Sequence, residues 1–139
     1  DVYKRQRVGN ITERTVRYRI DRLTEGGFIR IRAIVNPSAV GYPVLGDISL
    51  EVEPGQVQEL ARKIAEFDCV AYVAFSMGDR DISLQMFARS NDELFTFATE
   101  TLGNLPGILK TTTLVVPLKL KDVDEWQIPS LPCVEKGEG

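Results

Sequence analysis

Histidine is absent from this sequence of 139 residues, and cysteine occurs only twice. Without histidine the chain lacks the commonest general base and the commonest metal ligand, so catalysis is less expected, although it is not excluded. Cys69 lies in an apolar run, and Cys133 lies in a tail rich in Pro, Gly and Glu. A disulfide between these two residues is possible, but two thiols so far apart make no metal site. We expect no catalytic residues, no metal and no cofactor.

Long apolar segments are also missing. No run approaches the roughly 20 residues that a membrane-spanning helix needs. The first residues, DVYKRQRVGN, lack the apolar core of a signal peptide. The composition, with 43% hydrophobic and 27% charged residues, is that of an ordinary globular protein. We therefore expect a cytoplasmic protein that makes no membrane contact.

Positive charge is outnumbered over the whole chain but concentrated at one end. The formal net charge is -3, yet residues 1–32 carry nine Lys and Arg against four Asp and Glu. The remaining 107 residues carry eight basic and sixteen acidic residues. This asymmetry predicts two modules, the first of which faces a polyanion.

The basic module centres on the segment TERTVRYRIDRL, residues 12–23. Thr12 is a good N-cap, and Val16, Ile20 and Leu23 recur at the spacing of one helix face. The segment therefore predicts an amphipathic helix, anchored by this apolar stripe.

The residues after this segment predict the end of the helix, then a strand and then a connector. Paired glycines at 26–27 end the helix, because glycine adopts the left-handed conformation without steric cost. FIRIRAIV, residues 28–35, alternates as a strand does, and NPSAVGYP, residues 36–43, has the Asn, Pro and Gly of a connector.

From residue 44 onward the pattern predicts strand, helix, strand, strand, helix, strand. The predicted strands are 44–53, 69–77, 82–88 and 108–116, and the predicted helices are 56–67 and 92–102. Two βαβ units joined by the tight turn GDRD make the ferredoxin-like pattern, a four-stranded antiparallel sheet with both helices on one face. Residues 118–126 alternate again and can form a fifth, swapped or edge strand. Residues 128–139 are predicted to be disordered.

The predicted strands carry more large apolar side chains than two short helices can cover: Tyr72, Phe75, Met77, Phe87 and Val115. An open sheet face with such groups normally seeks a partner. Because homo-oligomers favour symmetric interfaces, we expect a homodimer whose sheets pack face to face. Whether the dimers assemble into a higher oligomer stays open.

The order of these motifs resembles one known family. NITERTVRYRIDRLTEGGFI, then VGY, then a βαββαβ pattern with GDRD between its middle strands, resembles the leucine-responsive regulatory protein/asparagine regulator (Lrp/AsnC) family of transcription regulators. The resemblance covers roughly residues 8–127 at family scale. It implies an α+β protein with a partial winged helix-turn-helix in residues 1–36, a linker in residues 37–43 and a ferredoxin-like ligand-binding and oligomerisation domain in residues 44–127.

The resemblance also implies two helices ahead of the predicted helix, about 25–30 residues in all. This chain has only DVYKRQR in their place. We therefore expect an N-terminally truncated chain, either a fragment or an incomplete gene model. Because a recognition helix needs supporting helices to fix its angle, we expect weak or absent binding to double-stranded DNA.

Residues 12–23 resemble the recognition helix of the family, which enters the DNA major groove. Arginine can grip guanine with two hydrogen bonds, and arginine or tyrosine can hold phosphates. The residues expected to contact DNA are Thr12, Glu13, Arg14, Thr15, Arg17, Tyr18 and Arg22, with Arg30 and Arg32 on the wing. The alternative is a solvated helix face held by ion pairs such as Arg17–Asp21.

The resemblance further implies that the GDRD turn helps to bind a small effector, typically an amino acid, between dimers. The candidate residues are Gly78, Asp79, Arg80, Asp81 and Thr112. An aspartate can hold an ammonium group, backbone N–H groups around the glycine can hold a carboxylate, and the threonine can add a hydroxyl. The alternative is a hairpin turn whose glycine and aspartates serve its shape alone.

Taken together, these features favour a DNA-binding transcription regulator that responds to an amino-acid effector, and not an enzyme. Two alternatives remain. One is a stand-alone amino-acid-binding and oligomerisation module without DNA binding. The other is an enzyme on a dimeric ferredoxin-like barrel, because a fold alone does not decide its function.

Overall fold

The computed structural model describes residues 11–130 and residue 133. The chain divides into two compact units between Val35 and Asn36. Within the described residues, no helix combines the length and the apolar character that crossing a membrane requires.

The first unit contains helix α1, Glu13–Glu25. Thr12 precedes the helix, and its Oγ1 accepts a hydrogen bond from the backbone N–H of Thr15 at 3.3 Å, so the predicted N-cap is confirmed. At its end the N–H groups of Gly27 and Phe28 bond back to carbonyls of the last turns. Gly27 has a φ of 74°, the left-handed conformation that a helix stop of this kind requires.

The apolar stripe of α1 is only partly covered. Val16 and Ile20 are half-buried and Leu23 is exposed, and no residue of the helix is fully buried. A helix buries its stripe by packing against a second element. Within residues 11–35, α1 is the only regular element, so nothing else in that range can cover the stripe.

The strand predicted for residues 28–35 does not form. The segment has no strand geometry and its side chains are exposed. Alternating apolar residues form a strand only when a second strand supplies the ladder of hydrogen bonds. Residues 11–35 supply no such partner, so the wing is not formed there and Arg30 and Arg32 lie in an irregular segment.

The second unit has the predicted ferredoxin-like order of elements. A short 3₁₀ helix, Ser38–Val40, leads into strand β1. The main elements are β1 (Val44–Val52), α2 (Val57–Ala65), β2 (Val70–Phe75), β3 (Ile82–Ala88), α3 (Asn91–Thr96) and β4 (Ile108–Val116). The strands form one antiparallel sheet in the order β2-β3-β1-β4, which confirms the predicted four-stranded sheet.

Helix α3 is shorter than the helix predicted for residues 92–102. Ser90 caps its start, and the Oγ of Ser90 accepts from the N–H of Glu93 at 3.1 Å. After Thr96 the backbone widens into a π-helical turn, Phe97–Thr101, in which each N–H reaches one residue further back. The wider turn keeps Phe97 and Leu102 directed into the core.

The hydrophobic core lies between α2, α3 and one face of the sheet. The buried residues of β1 and β3 alternate along each strand, as expected when one face of a sheet is covered. The largest fully buried side chains are Ile48, Leu50, Ile64, Ile82, Leu84, Met86, Leu94 and Leu102.

The opposite face of the sheet, which we call the open face, is less apolar than expected. Tyr72 and Phe87 lie on it, because their cross-strand partners Gln85 and Leu45 do. Its polar residues include Asp47, Ser49, Ser83, Gln85, Lys110 and Thr112.

Of the five large apolar residues that two helices were not expected to cover together, Phe75 and Val115 lie on the helix side of the sheet. Phe75 pairs with Ile82 and Val115 pairs with Gly46, and both partners face the core. A register irregularity between Val70 and Tyr72 shifts the alternation of β2 by one residue, which a pattern of period two cannot predict. Met77 follows the end of β2 and belongs to neither face.

Residues 118–126 do not form the fifth strand that their alternation suggested. Instead, a 3₁₀ helix, Val123–Glu125, occupies part of the segment. The carboxylate of Asp122 accepts from the N–H of Val123 at 2.7 Å, and the carboxylate of Glu125 accepts from the N–H of Asp122 at 3.2 Å. This capping box stabilises a helical turn where the alternation suggested a strand. The tail predicted to be disordered, residues 128–139, lies largely outside the described residues, as does DVYKRQ.

Candidate functional site

The turn between β2 and β3, residues 76–81, is closed by two hydrogen bonds. The N–H of Ser76 donates to the carbonyl of Asp81 at 2.9 Å, and Ser76 Oγ donates to the carbonyl of Arg80 at 2.9 Å. Gly78 has a φ of 143°, in the range that favours glycine. The four residues inside the closure, 77–80, are exposed, so the turn presents a carboxylate, a guanidinium and free backbone groups to solvent.

Asp81 differs from the rest of the turn because it is half-buried and bonded to the sheet. Its Oδ2 accepts from the N–H of Val52 at 2.7 Å, and its own N–H donates to the carbonyl of Leu50 at 2.9 Å. The regular pairing of β1 with β3 ends at Leu50 and Ile82. The Asp81 carboxylate therefore continues the ladder beyond its last backbone pair.

Arg80 reaches from the turn to β1. Its Nη1 donates to the hydroxyl of Ser49 at 2.8 Å. Ser49 lies on the open face and is the cross-strand partner of Thr112 on β4. The structure thus places the predicted residue Thr112 beside the anchor of Arg80. Ser49 was not predicted, and its only signal was a hydroxyl at an outward position of an alternating strand.

The turn and the neighbouring open face present groups whose charges complement those of a small zwitterion. The exposed carboxylate of Asp79 can hold an ammonium group, and an arginine can bind a carboxylate through two hydrogen bonds. Backbone N–H groups around Gly78 and the hydroxyl of Thr112 add donors for the same carboxylate. Asp81 stands apart from this set, because one of its oxygens is bonded to Val52.

Helix α1 presents a second candidate surface. Arg14, Arg17, Tyr18 and Arg22 lie at helical spacing, are exposed and point mostly away from the apolar stripe. Arg17 Nη2 lies 2.9 Å from the Glu13 carboxylate. The ion pair is therefore formed with Glu13 and not with Asp21, the partner considered from the sequence.

Within this surface, Arg22 is held against Tyr18. The guanidinium carbon of Arg22 lies 5.8 Å from the ring centroid of Tyr18, and Nη1 lies 3.4 Å from its hydroxyl. Exposed pairs one helix turn apart contribute only about 0.2–0.5 kcal/mol each. A DNA phosphate can therefore compete for these arginines. At the start of the helix, the hydroxyls of Thr12 and Thr15 lie 3.0 Å apart.

Cavities of the second unit lie beside its helices. One cavity of about 340 Å³ borders Cys69, Met86 and the π-helical turn, and another of about 400 Å³ lies between α2 and β2. Burial raises the pKa of the Cys69 thiol, whereas the hydrogen bond from Arg89 lowers the pKa of Glu93. Within the described residues, no three His, Cys, Asp or Glu side chains come together as metal ligands.

Known proteins are similar to this chain in sequence and in fold. Residues 48–125 match the family described as the Lrp/AsnC ligand binding domain. The chain is 35% identical over 121 residues to an uncharacterized HTH-type transcriptional regulator of Pyrococcus furiosus, covering 86% of this chain and 79% of that protein. It is 32% identical over 123 residues to the HTH-type transcriptional regulator FL11 of Pyrococcus abyssi, covering 88% of this chain and 81% of the relative.

Solved structures show the same fold at lower identity. AsnC of E. coli superposes with a TM-score of 0.73 at 22% identity, over 81% of this chain and 77% of AsnC. The transcriptional regulator NMB0573 of Neisseria meningitidis, solved as a complex with L-Met, gives a TM-score of 0.76 at 17% identity, over 89% of this chain and 88% of that protein. The family match spans more than half of the chain, and the relatives are HTH-type regulators. The chain therefore belongs to the Lrp/AsnC family of transcription regulators.

Proposed function

We propose that this chain is a cytoplasmic, DNA-binding transcription regulator whose second unit binds an amino-acid effector at the turn 76–81. The observation that carries the proposal is the set of exposed polar groups on this turn, next to Thr112, inside the matched ligand-binding domain. The L-Met complex of the Neisseria meningitidis regulator supports an amino acid as the class of effector.

The effector site uses the residues that the sequence singled out. Asp79 binds the ammonium group, while Arg80 and the N–H groups around Gly78 bind the carboxylate. Thr112 adds a hydroxyl at the edge of the site. Asp81 completes the turn on which these groups stand.

Thermal unfolding tests the effector site directly. Each standard amino acid is added in turn to the full chain, because a ligand at 100 times its Kd stabilises the native state by about 2.7 kcal/mol. We expect a chemically related subset of amino acids to raise Tm, and Asp79→Ala to reduce the rise to about half or less. Asp68→Ala is the matched control, since Asp68 is also exposed but precedes β2 at the other end of that strand. Lack of any shift, or an equal shift in Asp79→Ala, contradicts the proposed site.

For DNA binding, we propose that α1 is the element that reads DNA. Its N-terminal residues Thr12, Glu13, Arg14 and Thr15 approach base edges, and Arg17, Tyr18 and Arg22 contact bases or phosphates. Arg30 and Arg32, in the irregular segment after the helix, contact the flanking backbone. The excess of basic residues in residues 1–32 supports this assignment, as do the HTH-type relatives.

DNA binding is tested by fluorescence anisotropy with DNA from the promoter of the chain's own gene, titrated at several salt concentrations. Arg14→Ala and Arg22→Ala should weaken binding, and each lost phosphate contact should reduce the salt slope by about 1. Arg62→Ala is the control, because Arg62 is an exposed arginine on α2 in the other unit. Equal binding by all three variants contradicts the assignment. An effector response without any DNA binding favours the stand-alone binding module instead.

We also propose that the second unit forms a homodimer through its open face. Leu114 and Tyr72 are 56% and 53% exposed on this face. Phe87 and Val116, which both pair with the buried Leu45, lie on the same face. A neighbouring copy would cover these apolar groups.

A further inference from the structure

The two aspartates of the turn 76–81 have different surroundings, although the sequence alone treats them alike. Asp79 is exposed, and its side chain projects from the part of the turn that faces solvent. Asp81 is half-buried and lies where the turn joins β3.

Asp81 holds the turn to β1 through two hydrogen bonds. Its carboxylate accepts from the N–H of Val52 at 2.7 Å, and its N–H donates to the carbonyl of Leu50 at 2.9 Å. A hydrogen bond to a carboxylate is shorter and stronger than one between neutral groups. Without the carboxylate, the partly buried N–H of Val52 would lose its acceptor.

The end of β1 that receives these bonds is itself fixed to β4. The pairing of β1 with β4 changes register between Glu51 and Val52, and the N–H of Glu53 donates to the carbonyl of Gly107 at 2.8 Å. Asp81 therefore connects the turn to a part of the sheet that is anchored on both sides.

The same attachment determines where the exposed groups of the turn lie. The carbonyl of Asp81 accepts the N–H of Ser76, which closes the turn, and the adjacent residue Arg80 bonds to Ser49. Without the Asp81 carboxylate, the turn would keep the backbone bond from Asp81 to Leu50 and the bond from Arg80 to Ser49, but it would lose its bond to Val52. Asp79 and Arg80 would then be held less firmly.

We propose that Asp81 is a positioning residue: its carboxylate fixes the turn 76–81 to β1, and Asp79 is the acidic group that meets the effector. The assignment of Asp79 rests on the proposed effector function. The attachment of the turn by Asp81 does not depend on which ligand binds.

Paired substitutions separate the two roles. Asp81→Asn keeps an oxygen that can accept from Val52, whereas Asp81→Ala keeps none. The probe is the amino acid that most stabilises the wild-type chain, titrated by calorimetry. Asp81→Asn should bind it within about threefold of wild type, and Asp81→Ala about tenfold or more weaker, in line with the loss of a hydrogen bond to a charged group. Asp79→Asn and Asp79→Ala should both bind about tenfold or more weaker, because Asp79 acts through its charge.

The amide of Val52 gives a readout that needs no effector. In NMR spectra, its proton should be shifted downfield and protected from exchange in wild type, in Asp81→Asn and in both Asp79 variants. In Asp81→Ala it should move upfield and exchange faster. If Asp81→Ala does not fold, Asp81→Asn and the Asp79 variants still decide between the roles.

The outcomes distinguish this inference from the proposed function. An Asp81→Asn variant that loses as much effector affinity as the Asp79 variants, with its Val52 amide unchanged, overturns the positioning role. An unchanged Val52 amide in a folded Asp81→Ala variant overturns it as well. If no amino acid stabilises the wild-type chain, the effector function fails, while the Val52 amide still tests the attachment of the turn.

Discussion

At the scale of single residues, Cys69 shows how surroundings change the chemistry of a side chain. The thiol is half-buried and lines the same cavity as Met86 and Phe97. Burial raises its pKa because it disfavours the charged thiolate, and the carboxylates of Glu93 and Asp68 act in the same direction. Since the thiolate is the reactive form, Cys69 should react slowly near neutral pH.

This expectation is tested in a Cys133→Ser variant, which leaves Cys69 as the single thiol. Below the raised pKa, the folded chain holds a smaller fraction of thiolate than the unfolded chain at the same pH. The alkylation rate with iodoacetamide, followed by mass spectrometry, should therefore rise at a higher pH in the native protein than in the same variant in denaturant. If the alkylation rate of the native protein rises at the same pH as that of the denatured protein, or at a lower pH, burial does not raise the pKa of Cys69.

Residue types and local caps were predictable, whereas the partners of charged groups were not. Thr12 was predicted as an N-cap from its own neighbourhood, and the structure confirms it. By contrast, Asp81 bonds to Val52 and Arg80 bonds to Ser49, which lie 29 and 31 residues away in sequence. Such contacts depend on strand register and on the shape of the turn, and a single sequence specifies neither.

At the scale of elements, the contact of β1 with α3 requires a residue without a side chain. Gly46 faces α3 at the point where a Cβ would collide with the methyl groups of Leu94. Leu94 is only 2% exposed and is surrounded by the core, so it has little room to move away. The glycine therefore sets how closely the helix approaches the sheet.

A double-mutant cycle tests this contact. Gly46→Ala should destabilise the unit by about 1–3 kcal/mol through overpacking, which outweighs the roughly 0.4–1 kcal/mol gained from a stiffer unfolded chain. Leu94→Ala should cost about 2–5 kcal/mol. The double variant should cost less than the sum, because the smaller residue 94 makes room for the new methyl group. Free energies of unfolding come from urea titration.

The control for this cycle is Asp47→Ala, at the next position of β1 but on the open face. Its effect should add to that of Leu94→Ala, since the two side chains lie on opposite sides of the sheet. If the losses in unfolding free energy of Gly46→Ala and Leu94→Ala simply add in the double variant, the contact with Leu94 is not the reason that position 46 requires glycine.

The order of elements in the second unit followed from periodicity, but the faces of the strands did not. Alternation predicts that a segment is a strand, yet the irregularity between Val70 and Tyr72 decides which side Phe75 occupies. Residues 28–35 and 118–126 alternate as well and form no strand. The former has no partner strand within residues 11–35, and the latter contains a helical turn stabilised by Asp122.

At the scale of the whole molecule, the proposed dimer depends on the open face. It combines exposed apolar side chains with polar ones, so a face-to-face dimer would bury both kinds. Leu114 and Val115 are neighbours on β4 with similar exposure, 56% and 51%, but lie on opposite sides of the sheet. This pair allows the two sides to be compared by the same substitution.

The dimer proposal predicts that Leu114→Lys dissociates the chain and that Val115→Lys does not. In a face-to-face dimer a lysine at position 114 would lose water at the interface, which is costly for an unpaired charge. In the monomer the same lysine can pair with Asp47, its cross-strand neighbour, so the fold should persist. Sedimentation velocity should give wild type and Val115→Lys at least twice the chain mass of 15.5 kDa, and Leu114→Lys the single mass. A monomeric wild type, or equal dissociation of both variants, would show that the open face is not the interface.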